Sequence, residues 1–549
     1  MSSEIFDIVI CGGGITGAGI ARDAAHRGLR VALIDKEDFG SGTSCRSSKL
    51  VHGGLRYLKQ GELKLVFEGT SERALLMRRA PHLVRPIPFL VPIYKRHRPG
   101  LATVDIGLWV YDALAMFRSP KLHRTYRPKR VSAMEPMLTT DGLAGALEYY
   151  DCMTDDARLV LENVLDAKLL GAEVLSYTRL TGIERDGRGR IAAVRARDEL
   201  SGNELSLRTH ALVVAGGPWT DEILGRVGVS LGRTLLRPTK GVHVVVDAKR
   251  LPVTRAVTMF TRDQRVMFCL PWTERTVIGT TDTDFDGSPD EVAADLSDVS
   301  YICEHANRFF PDAKLTPDDV IATWAGLRPL IAPHEQARAS DVSREHEIIC
   351  SDGGVIAIAG GKLTTYRRMA KEAVDKAVEW LSDRADAPLD GRRIKPCRTK
   401  HRPLPGAQGL EHPGLKAVHA ILARLRDHAH VEERVASHLA ETYGQRAESL
   451  VVRAVGNRSL IERMDSELPY VWAEVEHAVD VDLAKTVEDV LVRRIPLCLR
   501  AKDQGLGVAE EVARRMARVL GWSEAERARQ VEAYYRYVAA TRRFRGSSS

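Results

Sequence analysis

The start of the chain contains short apolar runs, each of which ends at glycine or at an acidic residue. The apolar run at 5–10 leads into Gly12-Gly13-Gly14, residues 15–27 follow with helical spacing, and the run at 31–34 stops at Asp35. This order predicts a strand, a tight turn, a helix and a second strand within about 30 residues, the length of a βαβ unit.

The same pattern recurs further along the chain and then gives way to another. Apolar runs at 212–214 and 355–359 each end in a glycine pair, which predicts two more buried strands. From about 390 to 406 basic residues and proline accumulate, and after about 410 nearly every stretch has helical periodicity with charged faces. The chain therefore predicts a mixed α/β body, a linker and an all-helical C-terminal domain.

Composition excludes several classes of protein. A net charge of +7 is mild for 549 residues, so we expect no nucleic-acid partner, although an anionic substrate or membrane surface would suit it. The eight cysteines include no C-x-x-C pair, so we predict no metal site, and reduced thiols in the cytoplasm. We also expect no signal peptide and no membrane span, because no apolar run reaches about 18 residues.

The first turn has the spacing of a dinucleotide-binding fingerprint, Gly12-x-Gly14-x-x-Gly17. Gly12 permits the tight turn, Gly14 lets the backbone approach a pyrophosphate, and Gly17 lets the helix pack against the strand. The phosphates would lie at the positive N-terminal end of the helix. Asp35 ends the second strand, where its carboxylate could accept hydrogen bonds from ribose hydroxyls.

The position of the fingerprint favours FAD over NAD. It lies at the extreme N-terminus, and the later strand-glycine elements fit a sheet that is completed late in the chain, as in discontinuous FAD domains. We predict a Rossmann-like FAD-binding domain formed by residues 1–80, 151–235 and 340–388, a sheet-bearing substrate-binding domain formed by 81–150 and 236–339, a linker at 389–409 and a helical domain at 410–545.

Five longer motifs occur in the order and spacing of one known family. They are SCRSSKLVHGGLRYL at 44–58, KGVH at 240–243, GTTD at 279–282, GLRPL at 326–330 and GGKLTTYR at 360–367. Over essentially the whole chain they resemble FAD-dependent sn-glycerol-3-phosphate dehydrogenases. Asp35 departs from the family, in which Glu is commoner, and Cys45 lies in a usually Ser/Ala-rich loop. We expect FAD binding to survive both departures, with Asp35 reaching the ribose through water.

The resemblance implies both a reaction and a set of site residues. Glycerol 3-phosphate would be oxidised to dihydroxyacetone phosphate, with hydride transfer to FAD and electrons passed on, typically to a membrane quinone. The residues expected to bind FAD are Gly12, Gly14, Gly17, Asp35, Thr43, Ser44, Ser48, Lys49, His52, Gly54, Gly216, Gly361, Lys362, Leu363 and Thr364. The residues expected to bind the substrate are Arg56, Tyr57, Lys362 and Thr365. A phosphate dianion needs cationic donors, and the resemblance makes Arg56 and Arg328 the candidates for this clamp.

Oxidation of an alcohol by hydride loss also requires that the hydroxyl proton leave. A neutral histidine is the natural base near pH 7, and His243 is the candidate, with Arg328 polarising the developing alkoxide. The motifs do not separate the roles of His243 and Arg328. His52 is a competing base, although its neighbouring glycines favour a place beside the flavin.

The segment 101–117 has the pattern of an interfacial amphipathic helix. Apolar residues recur at 101, 104, 108, 109, 115 and 116, with Asp105 and Asp112 on another face and basic clusters on both sides. A core helix with solvated ends is the alternative. The protein would accordingly be cytoplasmic or lie on the inner face of the cell membrane. The charged helices of the C-terminal domain leave a homodimer open as well.

Two other functions compete with the dehydrogenase. A flavin oxidase would pass electrons to oxygen, which depends on access to the flavin. A non-catalytic scaffold would keep FAD for stability alone. The presence of His243 together with Arg56 and Arg328 argues against the scaffold, because a scaffold needs no base beside a phosphate clamp.

Overall fold

The structure, a computed structural model, describes residues 5–546 except 60, 96–98, 231, 264, 333–345, 384–388, 390, 411–414 and 430. The side chains of residues 56, 59, 415–417, 426–429 and 455 also lie outside the description. The strands are β1 (Ile8–Cys11), β2 (Val31–Ile34), β3 (Leu50–Val51), β4 (Arg85–Tyr94), β5 (Arg124–Tyr126), β6 (Leu143–Met153), β7 (Glu173–Leu175), β8 (Thr178–Arg185), β9 (Ile191–Asp198), β10 (Glu204–Arg208), β11 (Leu212–Val214), β12 (Leu236–Asp247), β13 (Ala256–Phe260), β14 (Val266–Trp272), β15 (Arg275–Gly279), β16 (Thr283–Asp284), β17 (Val320–Ile331), β18 (His346–Cys350) and β19 (Val355–Gly360).

The helices are α1 (Ile15–Arg27), α2 (Leu55–Lys59), α3 (Leu63–Arg79), α4 (Leu101–Leu114), α5 (Pro128–Met134), α6 (Asp156–Leu169), α7 (Thr220–Arg226), α8 (Leu296–Phe309), α9 (Tyr366–Ser382), α10 (Leu415–Ala429), α11 (Glu433–Tyr443), α12 (Ala447–Val455), α13 (Ala473–Asp480), α14 (Leu497–Arg500), α15 (Ala509–Leu520) and α16 (Glu524–Thr541). A π-helical turn, Asp489–Arg494, precedes α14.

The first sheet has six strands in the order β18-β19-β11-β1-β2-β7. All pairs except β18 with β19 are parallel, so β1, β2, β11 and β19 end at one edge. Helices α1, α6 and α9 pack on one face through apolar side chains, and the small sheet β8–β10 with α7 covers the other. The central strands β1, β2, β11 and β19 are apolar because both of their faces are buried. This arrangement confirms the predicted Rossmann-like fold.

The second sheet has ten strands in the order β16-β12-β15-β14-β13-β4-β6-β3, with β17 paired to β12 and β5 to β6. Its strand β3 comes from the motif at 44–58, whose Ser44 also contacts the start of α1 beside the first sheet. The register between β12 and β17 sets His243 opposite Trp324 and Thr239 opposite Arg328. Pairing of β12 with β15 sets His243 opposite Gly279.

The proline-rich stretch at 81–99 includes strand β4, which its sequence pattern does not predict. β4 includes Pro86, Pro88 and Pro92 and pairs with β6 along nearly its whole length. Successive N–H groups of a strand point to alternate edges, and these three prolines all have the same parity. Their missing N–H groups therefore fall on one edge of β4, where β13 pairs only at Phe89 and Leu90.

The C-terminal region is helical, as its periodicity predicts. Helices α10 to α16 bury two apolar clusters of their own. Before them, residues 391–409 pack on the first sheet's helices, with Leu404 buried and the Lys395 amide donating to the Arg27 carbonyl at 3.0 Å.

Candidate active site

A deep cleft of about 320 Å³ opens where the parallel strands of the first sheet end, and it extends to the second sheet. Crevices at the carboxyl ends of parallel strands are where α/β sheets bind ligands. Gly12 and Gly14 line the cleft at the start of α1. Gly12 has φ +109°, and a Cβ at Gly17 would overlap the Gly12 carbonyl oxygen. The turn therefore needs glycine both to form and to pack, and it places the N-terminal end of α1 at the cleft.

Asp35 lies at the end of β2 and faces the same cleft. Its carboxylate accepts hydrogen bonds from the Gly13 amide at 2.6 Å and from the Glu37 amide at 2.9 Å. Burial raises the pKa of Asp35 to about 7. Each carboxylate oxygen keeps a further lone pair, so the group can still receive a ribose hydroxyl.

Most of the predicted FAD-binding residues line this one cleft. They are Gly12, Gly14, Asp35, Thr43, Ser44, Ser48, His52, Gly216, Gly361, Lys362, Leu363 and Thr364. Gly17 and Gly54 lie behind its wall, where they make room for the backbone of the turn and for the Tyr57 ring.

Lys49 has a different position from the one that its motif led us to expect. It is not among the described residues that line the cleft. Its ammonium donates to Asp156 at 2.6 Å and to the Cys45 carbonyl at 3.3 Å, and it is buried. It also lies 5.4 Å from the ring centre of Trp324. Lys49 thus secures the motif from behind, as an ion pair with α6.

His243 projects from β12 into the cleft and is almost fully buried. Its ring stacks on Trp324, with centres 5.0 Å apart and planes 14° from parallel. Its Nε2 lies 2.7 Å from the Ser48 hydroxyl oxygen. Burial, followed by the positive charges of Arg328 and Lys49, lowers the pKa of His243 to about 3. The imidazole is therefore neutral at pH 7, the form that accepts a proton.

Arg328 lies on β17, the strand that pairs with β12, and it also lines the cleft. Its Nη1 donates to Asp282 at 3.0 Å, and its Nη2 donates to the Thr280 hydroxyl and the Thr281 carbonyl, each at 3.1 Å. A Cβ at Gly241 would lie 2.6 Å from Nη2. The motifs at 240–243 and 279–282 therefore orient this guanidinium.

Lys362 connects the main cleft to a smaller cavity of about 170 Å³, because it lines both. Its ammonium lies 3.4 Å from the centre of the Tyr57 ring, a cation–π contact. Thr365 lines the smaller cavity together with Lys64, Glu68 and other charged residues. The side chain of Arg56 lies outside the part of the chain that the structure describes.

Comparisons with known proteins agree with this geometry. A family model for FAD dependent oxidoreductases matches residues 7–367, and one for the C-terminal domain of alpha-glycerophosphate oxidase matches residues 397–527. Glycerol-3-phosphate dehydrogenase 2 of Mycobacterium tuberculosis is 37% identical over 98% of this chain and 89% of its own length. The aerobic glycerol-3-phosphate dehydrogenase of Bacillus subtilis is 36% identical over 90% of this chain and 87% of its own.

A solved structure extends the likeness to three dimensions. The glycerol-3-phosphate dehydrogenase from Bacillus halodurans, complexed with FAD, is 31% identical in sequence and has a TM-score of 0.81. The match covers 100% of this chain and 97% of that one. The chain belongs to the FAD-dependent glycerol-3-phosphate dehydrogenase family.

The cleft of this dehydrogenase fits the family's cofactor. The glycine turn, the N-terminus of α1 and the Asp35 carboxylate form the donor and acceptor set that an adenine dinucleotide needs. Residues 40–44 and 360–364 line the same cleft as His243 and Arg328.

Sequence reasoning missed three residues that shape the dehydrogenase site. Thr280 and Asp282 orient Arg328, and Trp324 stacks on His243 while its indole N–H donates to the Ser47 carbonyl at 3.1 Å. The first two lie within a motif recognised in the sequence without a role. Trp324 is part of no motif, and only the strand register shows it.

Proposed function

We propose that the protein oxidises sn-glycerol 3-phosphate to dihydroxyacetone phosphate and passes the electrons, through FAD, to a membrane quinone. The observation that carries the proposal is the convergence of a glycine-lined dinucleotide cleft with a neutral His243 and an oriented Arg328 on one wall. FAD, when bound, supplies the electron-accepting ring that takes the hydride from C2 of the substrate.

In this proposal His243 accepts the proton of the C2 hydroxyl. The depressed pKa keeps the imidazole free of a proton, and stacking on Trp324 fixes the plane of the ring. The Ser48 hydroxyl forms a hydrogen bond with Nε2 and so fixes the position of that nitrogen. Arg328 lies close enough to depress the pKa of His243, and its positive charge would stabilise the negative oxygen that forms as the proton leaves.

The phosphate of the substrate would be held by Lys362, Arg56, Tyr57 and Thr365. Two cations match the dianion in charge, and the phenol and hydroxyl can donate to its remaining oxygens. The cation–π contact between Lys362 and Tyr57 supports this assignment, because it holds the ammonium at the junction of the two cavities.

The quinone acceptor is supported by an exposed apolar surface on α4. Ile106, Trp109 and Val110 lie on one side of this helix with 64%, 51% and 41% of their surfaces exposed, and Met116 and Phe117 follow it, also exposed. Large apolar patches on a soluble surface mark contacts with partners or membranes. Leu108 on the opposite side is buried.

The helix differs in two respects from its sequence prediction. It ends at Leu114, and Asp112 is buried against His123 at 2.8 Å rather than solvated. The core side of the helix therefore carries a buried carboxylate beside apolar residues such as Leu108. We propose that α4 docks into the membrane interface through its exposed apolar residues. None of the described helices is long and apolar enough to cross a bilayer.

Anaerobic mixing with glycerol 3-phosphate tests the substrate. Prompt bleaching of the flavin band is expected, and an amino acid or a hydroxy acid without a phosphate should leave the band unchanged. No bleaching of a flavin-loaded protein would contradict the substrate assignment. Recovery of the band on adding a quinone analogue, but not on adding air, would identify the acceptor.

Vesicle flotation tests the docking surface. Trp109→Asp should abolish binding to anionic phospholipid vesicles, whereas Leu200→Asp, a change at a residue 50% exposed on the turn after β9, should leave binding intact. Equal binding of both variants would contradict docking through α4.

Oxygen is the second candidate acceptor. The observation that favours it is the match of residues 397–527 to the C-terminal domain of alpha-glycerophosphate oxidase. Rapid recovery of the flavin band in air, with hydrogen peroxide formed one for one with product, would establish the oxidase reaction instead.

A further inference from the structure

Two adjacent arginines of the C-terminal region reach into the domain that carries the cleft. Arg493 and Arg494 end the π-helical turn and are buried. Arg493 Nε donates to Asp38 Oδ2 at 2.5 Å, and Arg494 Nη2 donates to Asp38 Oδ1 at 2.9 Å. Asp38 is completely buried and lies only three residues after Asp35. Both of its oxygens are thus held by charge-assisted hydrogen bonds from a distant part of the chain.

Asp38 opens the loop that forms one wall of the cleft. Its carbonyl accepts from the Ser41 amide at 3.2 Å, and the Gly40 amide donates to the Gly13 carbonyl at 3.0 Å. Further along, the Ser44 hydroxyl accepts from the Ile15 amide at 2.9 Å, at the first turn of α1. Residues 40–44 all line the cleft. A shift at Asp38 would therefore move the wall and its contact with the glycine turn together.

The two guanidinium groups are themselves fixed from the C-terminal side. Arg493 also donates to Asp489 at 2.6 Å and to Glu488 at 2.9 Å. Arg494 also donates to the Asp482 carbonyl at 2.7 Å. A planar guanidinium with several partners has a single orientation, so the C-terminal region presents a rigid receptor for the Asp38 carboxylate.

The charge balance shows why Asp38 would not keep its place without these partners. A buried carboxylate is tolerated only when it is paired, and removal of one partner leaves an uncompensated charge that turns toward water. Neither arginine is among the described residues that line the cleft, so any effect on the cofactor must pass through Asp38 and its loop.

We propose that Arg493 and Arg494 are positioning residues for FAD, which hold loop 38–45 of the N-terminal domain in its cofactor-retaining conformation. The helical C-terminal region is then part of the FAD site and not only an appendage of the fold. This role is independent of the substrate and of the electron acceptor.

The test compares release of FAD from purified holoenzymes, followed by the rise in FAD fluorescence after dilution. The variants are Arg493→Met and Arg494→Met, with Arg500→Met as the matched control. Arg500 is a buried arginine of the same region, but it binds Tyr470 at 2.8 Å and Glu274 on the turn between β14 and β15, away from loop 38–45. Thermal unfolding of each holoenzyme reports the general loss of stability.

Both loop-directed variants should release FAD about tenfold faster or more, while Arg500→Met should stay within about twofold of the parent protein. A merely structural role would lower the unfolding temperature of all three variants and speed FAD release equally, and that result would overturn the proposal. Asp38→Asn keeps the size of the side chain and decides the matter if an arginine variant does not fold. Unchanged FAD release from Asp38→Asn would overturn the proposal as well.

Discussion

Replacement of His243 by glutamine separates proton acceptance from the other properties of the site. The amide of glutamine can still form a hydrogen bond with the Ser48 hydroxyl, which lies 2.7 Å from the imidazole Nε2, but it cannot accept the substrate proton. A general base contributes about 10²- to 10⁴-fold to the rate, which corresponds to about 3–5 kcal/mol of barrier. Loss of the stack on Trp324 is worth only about 1 kcal/mol, and it lowers stability rather than rate.

The assay is stopped-flow reduction of the flavin under anaerobic conditions at saturating glycerol 3-phosphate. His243→Gln should reduce the flavin about 10²- to 10⁴-fold more slowly, with a change of only a few degrees in unfolding temperature. Ser48→Ala keeps the imidazole and loses one hydrogen bond, so its rate should fall by about tenfold. A His243→Gln rate within about threefold of the parent would refute the assignment of the base.

The pH dependence provides a second check on the same reasoning. Because burial and nearby cations lower the pKa of His243 to about 3, the imidazole stays neutral between about pH 5 and 8. The reduction rate should therefore lack an acid limb from this group in that range. An inflection near pH 6.5 that disappears in His243→Gln would show that the imidazole titrates normally and that its environment does not act as we infer.

Three further predictions follow from other parts of the structure. Gly17→Ala should abolish FAD retention, because its Cβ would overlap the Gly12 carbonyl, whereas Gly225→Ala meets nothing within 4 Å and should bind FAD normally; the flavin content of the purified proteins measures both. Burial lowers the pKa of His82 to about 3. The unfolded chain therefore binds a proton more readily than the folded protein between about pH 6.5 and pH 3. The free energy of unfolding is unaffected by this group above about pH 6.5 and falls by up to about 1.4 kcal/mol per pH unit as the pH declines toward 3. The urea midpoint of His82→Leu should accordingly depend less on pH between about 7.5 and 5 than that of the parent, and equal slopes would contradict this. Arg328→Lys keeps the charge but loses the fork that binds Asp282, so kcat/KM for glycerol 3-phosphate should fall about 10²-fold, and a loss under threefold would contradict the role of Arg328.

The sequence determined by itself the elements whose cause is local. The turn at Gly12 to Gly17, the strands on either side of it and the helical C-terminal region follow from short-range patterns of glycine and apolar residues, which act over a few residues wherever they occur. The motifs at 240–243 and 326–330, through their resemblance to a known family, also predicted His243 and Arg328 as site residues, and both line the cleft.

Only the tertiary structure decided which of these side chains meet, and in what state. Strand register sets Trp324 against His243 and carries Arg328 to Asp282, and neither contact has a signal in the local sequence. Lys49 binds Asp156 instead of facing the cleft, although it lies within a cofactor motif. The contact between Arg493 and Asp38 joins residues 455 positions apart. Burial and charge at such meeting points depend on the whole packed chain, since desolvation is a property of the surroundings and not of the residue.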